Sequence, residues 1–393
     1  MRLLYVTHFF PPEKGAAANR AYRITKGLIR KGVFVDIFTG FPNYPDGKLP
    51  QEYRLRGTTV EYTDYGAKVI RVPMQPAASA DPIWFRLINQ ISFPINALLR
   101  QRVLHNHYDV VIASSPPLFT GLLGYLLSEK LNAKFVLDVR DLWPESIESI
   151  SDSRAVHIAS KPFRYMAKFL YSRADLITSP VRGILDELMA KYKPYVPLVW
   201  VPNGLFVEDV ERFLPYVTTT RSLAYTGLLG RLLDNRMVVE LAKLLNDFDF
   251  YVAGDGAEKH LFLDSENNIH YLGILPWEEN MKVIARSGFG VVFLKHVDVM
   301  KKSIPTRMVE YAALGKPVVM NINTEASTIL KQYNAGIVVE SGDVNEIAAR
   351  VRNVWNNQDI YKEKSIGARK MVKELFDMEA ITSKLVAALE GIL

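Results

Sequence analysis

The 393-residue chain carries 48 Lys and Arg against 42 Asp and Glu, for a formal net charge of +6, and it has no cysteine. That length exceeds what one hydrophobic core serves, so two domains of roughly 150 to 200 residues are expected; with 49% apolar and 23% charged residues, no long stretch has the composition of disorder. The missing cysteines exclude a disulfide framework, a thiolate nucleophile and a zinc site built on sulfur and favour a reducing compartment, the cytoplasm, while the dispersed basic residues, with no recognition motif beside them, argue against nucleic-acid binding.

The run from Met1 to Phe10 meets Pro11-Pro12-Glu13 with no small-residue cleavage site, so it reads as a buried first strand and not as a signal peptide. Further strands are predicted at Val33–Thr39, Lys68–Val72, Asp109–Ala113, Lys134–Val139, Asp175–Thr178 and Leu198–Pro202, with helical stretches between them. Val110–Ser128 is uncharged over nearly the length of a membrane span, but Ser114-Ser115-Pro116-Pro117 breaks it into a strand, a loop and an apolar helix over Leu118–Leu131. Four prolines and Asn203-Gly204 between Pro194 and Pro215 interrupt the pattern. It restarts with Ser222–Thr226, Phe248–Ala253, Ile269–Leu272, Gly290–Leu294, Val318–Asn321 and Ile337–Val339, with helices such as Asp234–Asn246 and Glu278–Arg286 between them. Continuous apolar strands separated by helices imply parallel sheets covered on both faces. The expectation is an α/β chain of two doubly wound Rossmann-like domains, residues 1–202 and 203–375, facing a central cleft, with a helical tail over 376–393 that docks on either domain.

Three loops attract attention as ligand contacts. After the first strand, Pro12-Glu13-Lys14-Gly15-Ala16-Ala17-Ala18-Asn19 is a small-residue run before an amphipathic helix, either a plain tight turn or a loop that lets backbone N–H groups approach an anion. After Ser222–Thr226 comes Gly227-Leu228-Leu229-Gly230-Arg231, followed by Arg236; two guanidiniums so spaced can grip a diphosphate, or they can simply be solvated. Further on, Ser303 is expected to cap a helix that has Pro305 in its first turn and Thr306-Arg307 after it, with Gly315 at its end. That arrangement would aim N–H groups at phosphate. Glu310, one and a half turns into this helix, is either a ribose-diol acceptor or a solvated carboxylate.

The pieces Phe41-Pro42-Asn43-Tyr44-Pro45, Ser115-Pro116-Pro117, Asp138-Val139-Arg140-Asp141-Leu142-Trp143-Pro144-Glu145-Ser146, Val201-Pro202-Asn203-Gly204, Gly230-Arg231, Ala253-Gly254-Asp255-Gly256 and Pro305-Thr306-Arg307 to Pro317 resemble, in order and over nearly the whole chain, the glycogen-synthase-like family of retaining GT-B glycosyltransferases. The branch they are most similar to transfers acetamido sugars such as N-acetylfucosamine in bacterial surface-polysaccharide assembly. The resemblance implies that Arg231 contacts the donor phosphates, that Arg236 stands where a lysine is usual, and that Glu310 holds the ribose. Gly15 and Ala16 match the loop that meets the acceptor and the transferred sugar. Gly227, Gly230, Gly254, Leu275, Lys302, Ser303, Pro305, Thr306 and Arg307 are expected to complete the donor site. Arg140, Trp143 and Glu145 are expected at the acceptor. Asp141 either orients acceptor or sugar, or is a buried carboxylate capping the next turn.

Two positions depart from the family's habit. Lys302 stands where a sugar-contacting Glu is common, and Arg140-Asp141 lies where many members have a cleft histidine before an Asp. The implied reaction moves a sugar from a nucleotide diphosphate, UDP favoured and GDP an alternative, to a lipid-linked or saccharide acceptor, with no cofactor beyond that substrate. In such retaining members the acceptor hydroxyl attacks from the face the leaving group departs, and a donor phosphate oxygen takes its proton. An epimerase on the same scaffold and a non-catalytic nucleotide-sugar-binding protein are the rival readings. Asp247-Phe248-Asp249 has the spacing of a Mg²⁺ or Mn²⁺ site, but it opens a strand at the end away from ligands, so no metal is expected. The helical segments Ile83–Leu104 and Lys161–Arg173 interleave aromatic and aliphatic residues with Arg and Lys, as peripheral contacts with an anionic membrane face do.

Overall fold

The computed structural model describes residues 1–13, 15–54, 57–78, 81–105, 107–144, 154–263 and 265–393. The chain divides into two compact units: unit 1 comprises Met1–Pro202 together with Ile381–Leu393, and unit 2 comprises Asn203–Ala380.

Unit 1 is built on β1 (Arg2–Val6), β2 (Phe34–Gly40), β3 (Thr59–Tyr62), β4 (Lys68–Val72), β5 (Val110–Ser115), β6 (Lys134–Val139), β7 (Leu176–Ser179) and β8 (Leu198–Trp200), with helices α1 (Ala16–Arg30), α2 (Ile83–Arg100), α3 (Leu118–Leu131), α4 (Arg154–Arg173) and α5 (Arg182–Tyr192) between them. The strands lie in the order β3-β4-β2-β1-β5-β6-β7-β8, all pairs parallel except β3 with β4. Helical crossovers place both faces of the central strands in the core, which is why β5 and β7 are buried at every residue. The uncharged run of the sequence resolves into β5, the Pro116-Pro117 break and α3.

The antiparallel edge strand β3 is absent from the sequence expectations. Its four residues contain Glu61 and show no apolar run. Pairing with β4 and an ion pair from Arg71 Nε to Glu61 Oε2 at 3.0 Å hold it instead. Among the described residues no helix is long and apolar enough to cross a membrane.

Unit 2 contains α6 (Val207–Glu211), β9 (Ser222–Thr226), α7 (Asn235–Leu244), β10 (Asp249–Ala253), β11 (Ile269–Gly273), α8 (Trp277–Arg286), β12 (Phe289–Val292), α9 (Asp298–Lys301), α10 (Thr306–Ala313), β13 (Val318–Met320), α11 (Glu325–Gln332), β14 (Gly336–Val338), α12 (Val344–Asn356) and α13 (Gln358–Met371). Its parallel sheet runs β11-β10-β9-β12-β13-β14, so both units are Rossmann-like layers of helix, sheet and helix. The order reverses at β9, and ligands of such sheets bind beyond the carboxyl ends at a reversal point. After a π-helical turn at Val372–Phe376, Leu205 and Asp377 pair as an isolated parallel bridge.

The last helix, α14 (Met378–Glu390), starts in unit 2 and is a member of unit 1 from Ile381 onward. There Ile381, Leu385 and Leu389 are buried. Thr382 lies so close to α1 that a Cβ at Gly27 would come within 2.4 Å of its methyl carbon.

Candidate donor and acceptor sites

In unit 2 the loops that follow β9, β10 and β11 are stitched to one another. Gly227 N–H donates to Ala253 O (2.8 Å), Leu229 N–H to Asp255 O (2.9 Å) and Gly254 N–H to Gly273 O (2.7 Å). Gly254 sits at φ 149°, and a Cβ there would lie 1.8 Å from the Gly227 carbonyl oxygen. Only glycine allows this approach. The buried Asn235 then fixes the far side of the β9 loop. Its Oδ1 accepts from Tyr225 OH (2.8 Å), and its Nδ2 donates to Gly230 O (3.0 Å) and Glu258 Oε2 (2.7 Å).

Arg231 follows directly on that anchored carbonyl. Its side chain is exposed, and among the described residues it makes no hydrogen bond or ion pair. Arg236 is also exposed, on the first turn of α7. It has an acidic neighbour: Glu258 is held below the usual carboxylate range first by the Asn235 amide, then by Lys295 and Arg236. Lys295, 3.5 Å from Glu258, is a cation at the end of β12 that the sequence expectations omit.

Helix α10 begins two residues later than a cap at Ser303 would place it. Pro305 is the flanking cap residue at φ −65°, ψ 128°, and no described side chain caps the helix. Ser303 is therefore not the cap: it lies two residues further out, and its backbone N–H bonds to Met300 O (3.0 Å) to close α9. Extended Pro305, which lacks an N–H, pushes the start to Thr306 and leaves the first-turn N–H groups of Thr306 and Arg307 without a side-chain acceptor among the described residues. Lys302 sits exposed just after α9, and Leu275 is half-buried between β11 and α8.

The side chains of α10 lock it to β9. Tyr311 OH accepts from Thr226 N–H (2.8 Å), and the place of a Cβ at Gly290 is occupied by the Tyr311 ring. Arg307 donates from Nη2 to Leu228 O (2.9 Å) and lies 5.3 Å from the Tyr225 ring centroid, while among the described residues its buried Nη1 has no partner. Arg307 thus holds the β9 loop from one side as Asn235 does from the other. Glu310 accepts from the indole Nε1–H of Trp277 at 3.2 Å.

In unit 1, Gly15 flanks α1 at φ 136°, and Gly15, Ala16, Ala17 and Ala18 line a small hollow with Phe9 and Tyr44. The buried Glu13 builds this hollow. Its carboxylate accepts from the backbone N–H groups of Asn43 and Tyr44, both at 3.0 Å, and of Phe10 at 3.2 Å, so one side chain joins the loop after β1 to the loop after β2. Burial pushes its carboxyl up against the opposing pull of those three donors.

Below the loops, Asp138 at the end of β6 forms a two-pronged pair with Arg20 of α1 (2.6 and 3.0 Å) and accepts from Thr178 Oγ1 (2.7 Å). Arg140 donates from Nη2 to Pro116 O, and among the described residues its buried Nε has no partner. Asp141 is half-buried beside it. Trp143 packs its ring edge-on to Phe163 at 4.7 Å against the unit 1 core. Glu145 lies outside the described residues. The Asp-x-Asp acids are engaged elsewhere, Asp247 with Arg221 and Arg352 and Asp249 with His270.

Comparison with known proteins gives this geometry a family. Residues 15–204 match the Glycosyl transferase 4-like domain and residues 227–357 match Glycosyl transferases group 1. The two matches between them take in most of both units, and the chain belongs to the glycosyltransferase group 1 family. It is 25% identical over 246 residues to the probable glycosyltransferase WbjE of Pseudomonas aeruginosa, an alignment spanning 58% of this chain and 61% of that protein. With the O-antigen chain mannosyltransferase C of Escherichia coli it shares 20% identity over 391 residues, 96% of this chain and 94% of the other. Its fold is similar to that of HepE from Anabaena, solved in complex with UDP and glucose, at a TM-score of 0.66 and 14% identity over 100% of both chains.

Proposed function

We propose that the chain transfers a sugar, an acetamido sugar by the resemblance of its motifs, from a nucleoside diphosphate to a lipid-linked saccharide in the assembly of a bacterial surface polysaccharide, with retention of configuration and without a resident metal. The names of WbjE and of the O-antigen mannosyltransferase support the setting, and the UDP bound in HepE supports a uridine carrier.

One observation carries the reading: beyond the carboxyl end of the unit 2 sheet stands Arg231, without an ion pair among the described residues, on a loop clamped by Asn235 and Arg307 and beside an α10 start that no described side chain caps. Departure of the nucleoside diphosphate builds negative charge on the bridging oxygen while the sugar turns oxocarbenium-like. Preplaced cations and helix N–H groups stabilise that charge more than they stabilise the bound substrate, which lowers the barrier. Glu310 takes the ribose, Gly15 and Ala16 admit the transferred sugar, and Arg140 and Asp141 serve the acceptor.

A thermal-shift panel of UDP-, GDP- and other nucleotide-linked sugars tests the donor. A ligand that binds only the folded state raises the apparent midpoint, by an amount that grows with its concentration over Kd. UDP-acetamido sugars are expected to give the largest shifts. A panel in which no nucleotide sugar moves the midpoint would overturn the reading, and release of an epimerised donor without acceptor would transfer it to the epimerase class.

The acceptor's lipid gives unit 1 a reason to lie on a membrane. From Ile83 to Leu104 and from His157 to Arg173 the chain has no Asp or Glu. The exposed residues of α2 include Trp84 (61%), Ile88, Ile95 and Leu99 (73%), and those of α4 include Ile158 and Tyr165 beside Lys161 and Lys168. An exposed apolar stripe flanked by cations suits the headgroup boundary of an anionic bilayer. The protein is expected to float with vesicles containing phosphatidylglycerol at low salt, and Trp84→Glu together with Leu99→Glu is expected to leave it at the bottom of the gradient. Equal flotation of this variant would remove α2 from the contact.

A further inference from the structure

Trp277 is the first residue of α8, and it was not among the side chains expected to matter. Its ring has two close neighbours: Phe213 packs edge-on at 5.5 Å between centroids, and the Arg212 guanidinium lies 5.5 Å from the ring centroid while donating to Glu278 at 2.9 Å. So braced, the indole presents its only polar hydrogen to Glu310 Oε1, 3.2 Å away. A glutamate on a helix surface ordinarily samples several rotamers, and fixing it costs entropy whenever a ligand needs it in one place. Here a donor from a different helix fixes it beforehand. Trp277 has no acceptor capacity of its own, so the contact can only orient the carboxylate and cannot take a proton from it.

We propose that Trp277 is a positioning residue for nucleotide recognition: its indole N–H holds the Glu310 carboxylate where the ribose diol of the donor meets it, so that the pair, and not Glu310 alone, distinguishes a ribonucleotide from a deoxyribonucleotide. The inference rests on the reading of Glu310 as the ribose acceptor. Both hydroxyls of a ribose donate well to a carboxylate, and loss of one charge-assisted hydrogen bond costs about tenfold or more in affinity.

Calorimetric titration of UDP and 2′-deoxy-UDP, with GDP and 2′-deoxy-GDP in parallel, tests it. The native protein is expected to prefer the ribonucleotide by about tenfold or more. Trp277→Phe keeps the ring against Phe213 and Arg212 and removes only the N–H. It is expected to raise the donor KM several-fold, to leave kcat within about twofold and to narrow the ribo/deoxyribo ratio, because uniform binding is what it weakens. Glu310→Ala is expected to abolish the ratio, and adding Trp277→Phe to Glu310→Ala is expected to change nothing further, since the two act as one unit.

If Trp277→Phe keeps the native ratio while Glu310→Ala loses it, the positioning role is overturned and the donor site stands. If the native protein shows no preference and Glu310→Ala has no effect, the ribose assignment fails and takes the inference with it. Should Trp277→Phe unfold, comparison of Trp277→His, which can donate from its ring, with Trp277→Leu, which cannot, decides the same point.

Discussion

Arg231→Ala is expected to lower turnover at least a hundredfold while leaving the melting temperature within a degree or two. The side chain is exposed and free of ion pairs among the described residues, so its removal opens no cavity and strands no buried partner. Stability should not register the change. Catalysis should, because a guanidinium placed against the departing diphosphate acts only as charge develops there. Removal of one such donor costs about 3 to 4 kcal/mol in other enzymes, which corresponds to a hundred- to thousandfold loss. Arg231→Lys keeps the charge but not the planar fork and is expected to fall between the two. Steady-state kinetics with saturating donor, alongside thermal unfolding, checks both halves, and near-native turnover in Arg231→Ala would falsify the assignment.

The largest effect on stability is expected from Asp138→Ala. Asp138 and Arg20 are 1% and 2% exposed, and the Arg20 guanidinium also donates to Val201 O at 2.7 Å, so one buried pair ties α1, β6, β7 and the segment after β8 together. Removing the carboxylate takes from a buried guanidinium the counter-charge that it grips with two hydrogen bonds, a loss of about 3 to 5 kcal/mol. That is a large share of the 5 to 15 kcal/mol that holds a typical protein folded. Urea titration followed by near-ultraviolet dichroism should show the midpoint for unit 1 falling while that for unit 2 is unchanged. Asp138 also sets an acid limit. Arg20, with help from Thr178, holds its carboxyl below the usual carboxylate range despite burial. A depressed native pKa means that the pair's contribution is complete above the unfolded-state value of about 4 and is lost as pH falls through the native one. Acid unfolding of unit 1 should therefore be shifted to higher pH in Asp138→Ala.

The sheets were legible in the sequence because buried parallel strands are written as short apolar runs: Lys68–Val72, Lys134–Val139 and Ser222–Thr226 have the same limits in sequence and structure. Strand β3 was not legible, since Thr59-Val60-Glu61-Tyr62 carries no apolar block and exists as a strand only through β4 and Arg71. At the donor site, spacing located the loops but not their supports. Asn235 reads as an ordinary helix-start amide and Tyr311 as an ordinary aromatic. Their partners are Gly230, Glu258 and Thr226, brought near by loop closure and not by periodicity. The same holds for Trp277 and Glu310, which lie 33 positions apart. Ser303 misled for a local reason: with Pro305 inside the first turn it would stand at the cap, but Pro305 takes the extended geometry, becomes the flanking residue itself and moves the helix start beyond the reach of Ser303.

Unit 1 draws on both ends of the sequence, with residues 381–393 completing a layer begun by α1. During synthesis every residue of unit 2 is made before that layer can be finished, so the half that comes first is the half that must wait. Until α14 arrives, the apolar bed for Ile381, Leu385 and Leu389 is open to water. Trimming those final thirteen positions would accordingly injure the half made first, although the excised segment follows directly on the other.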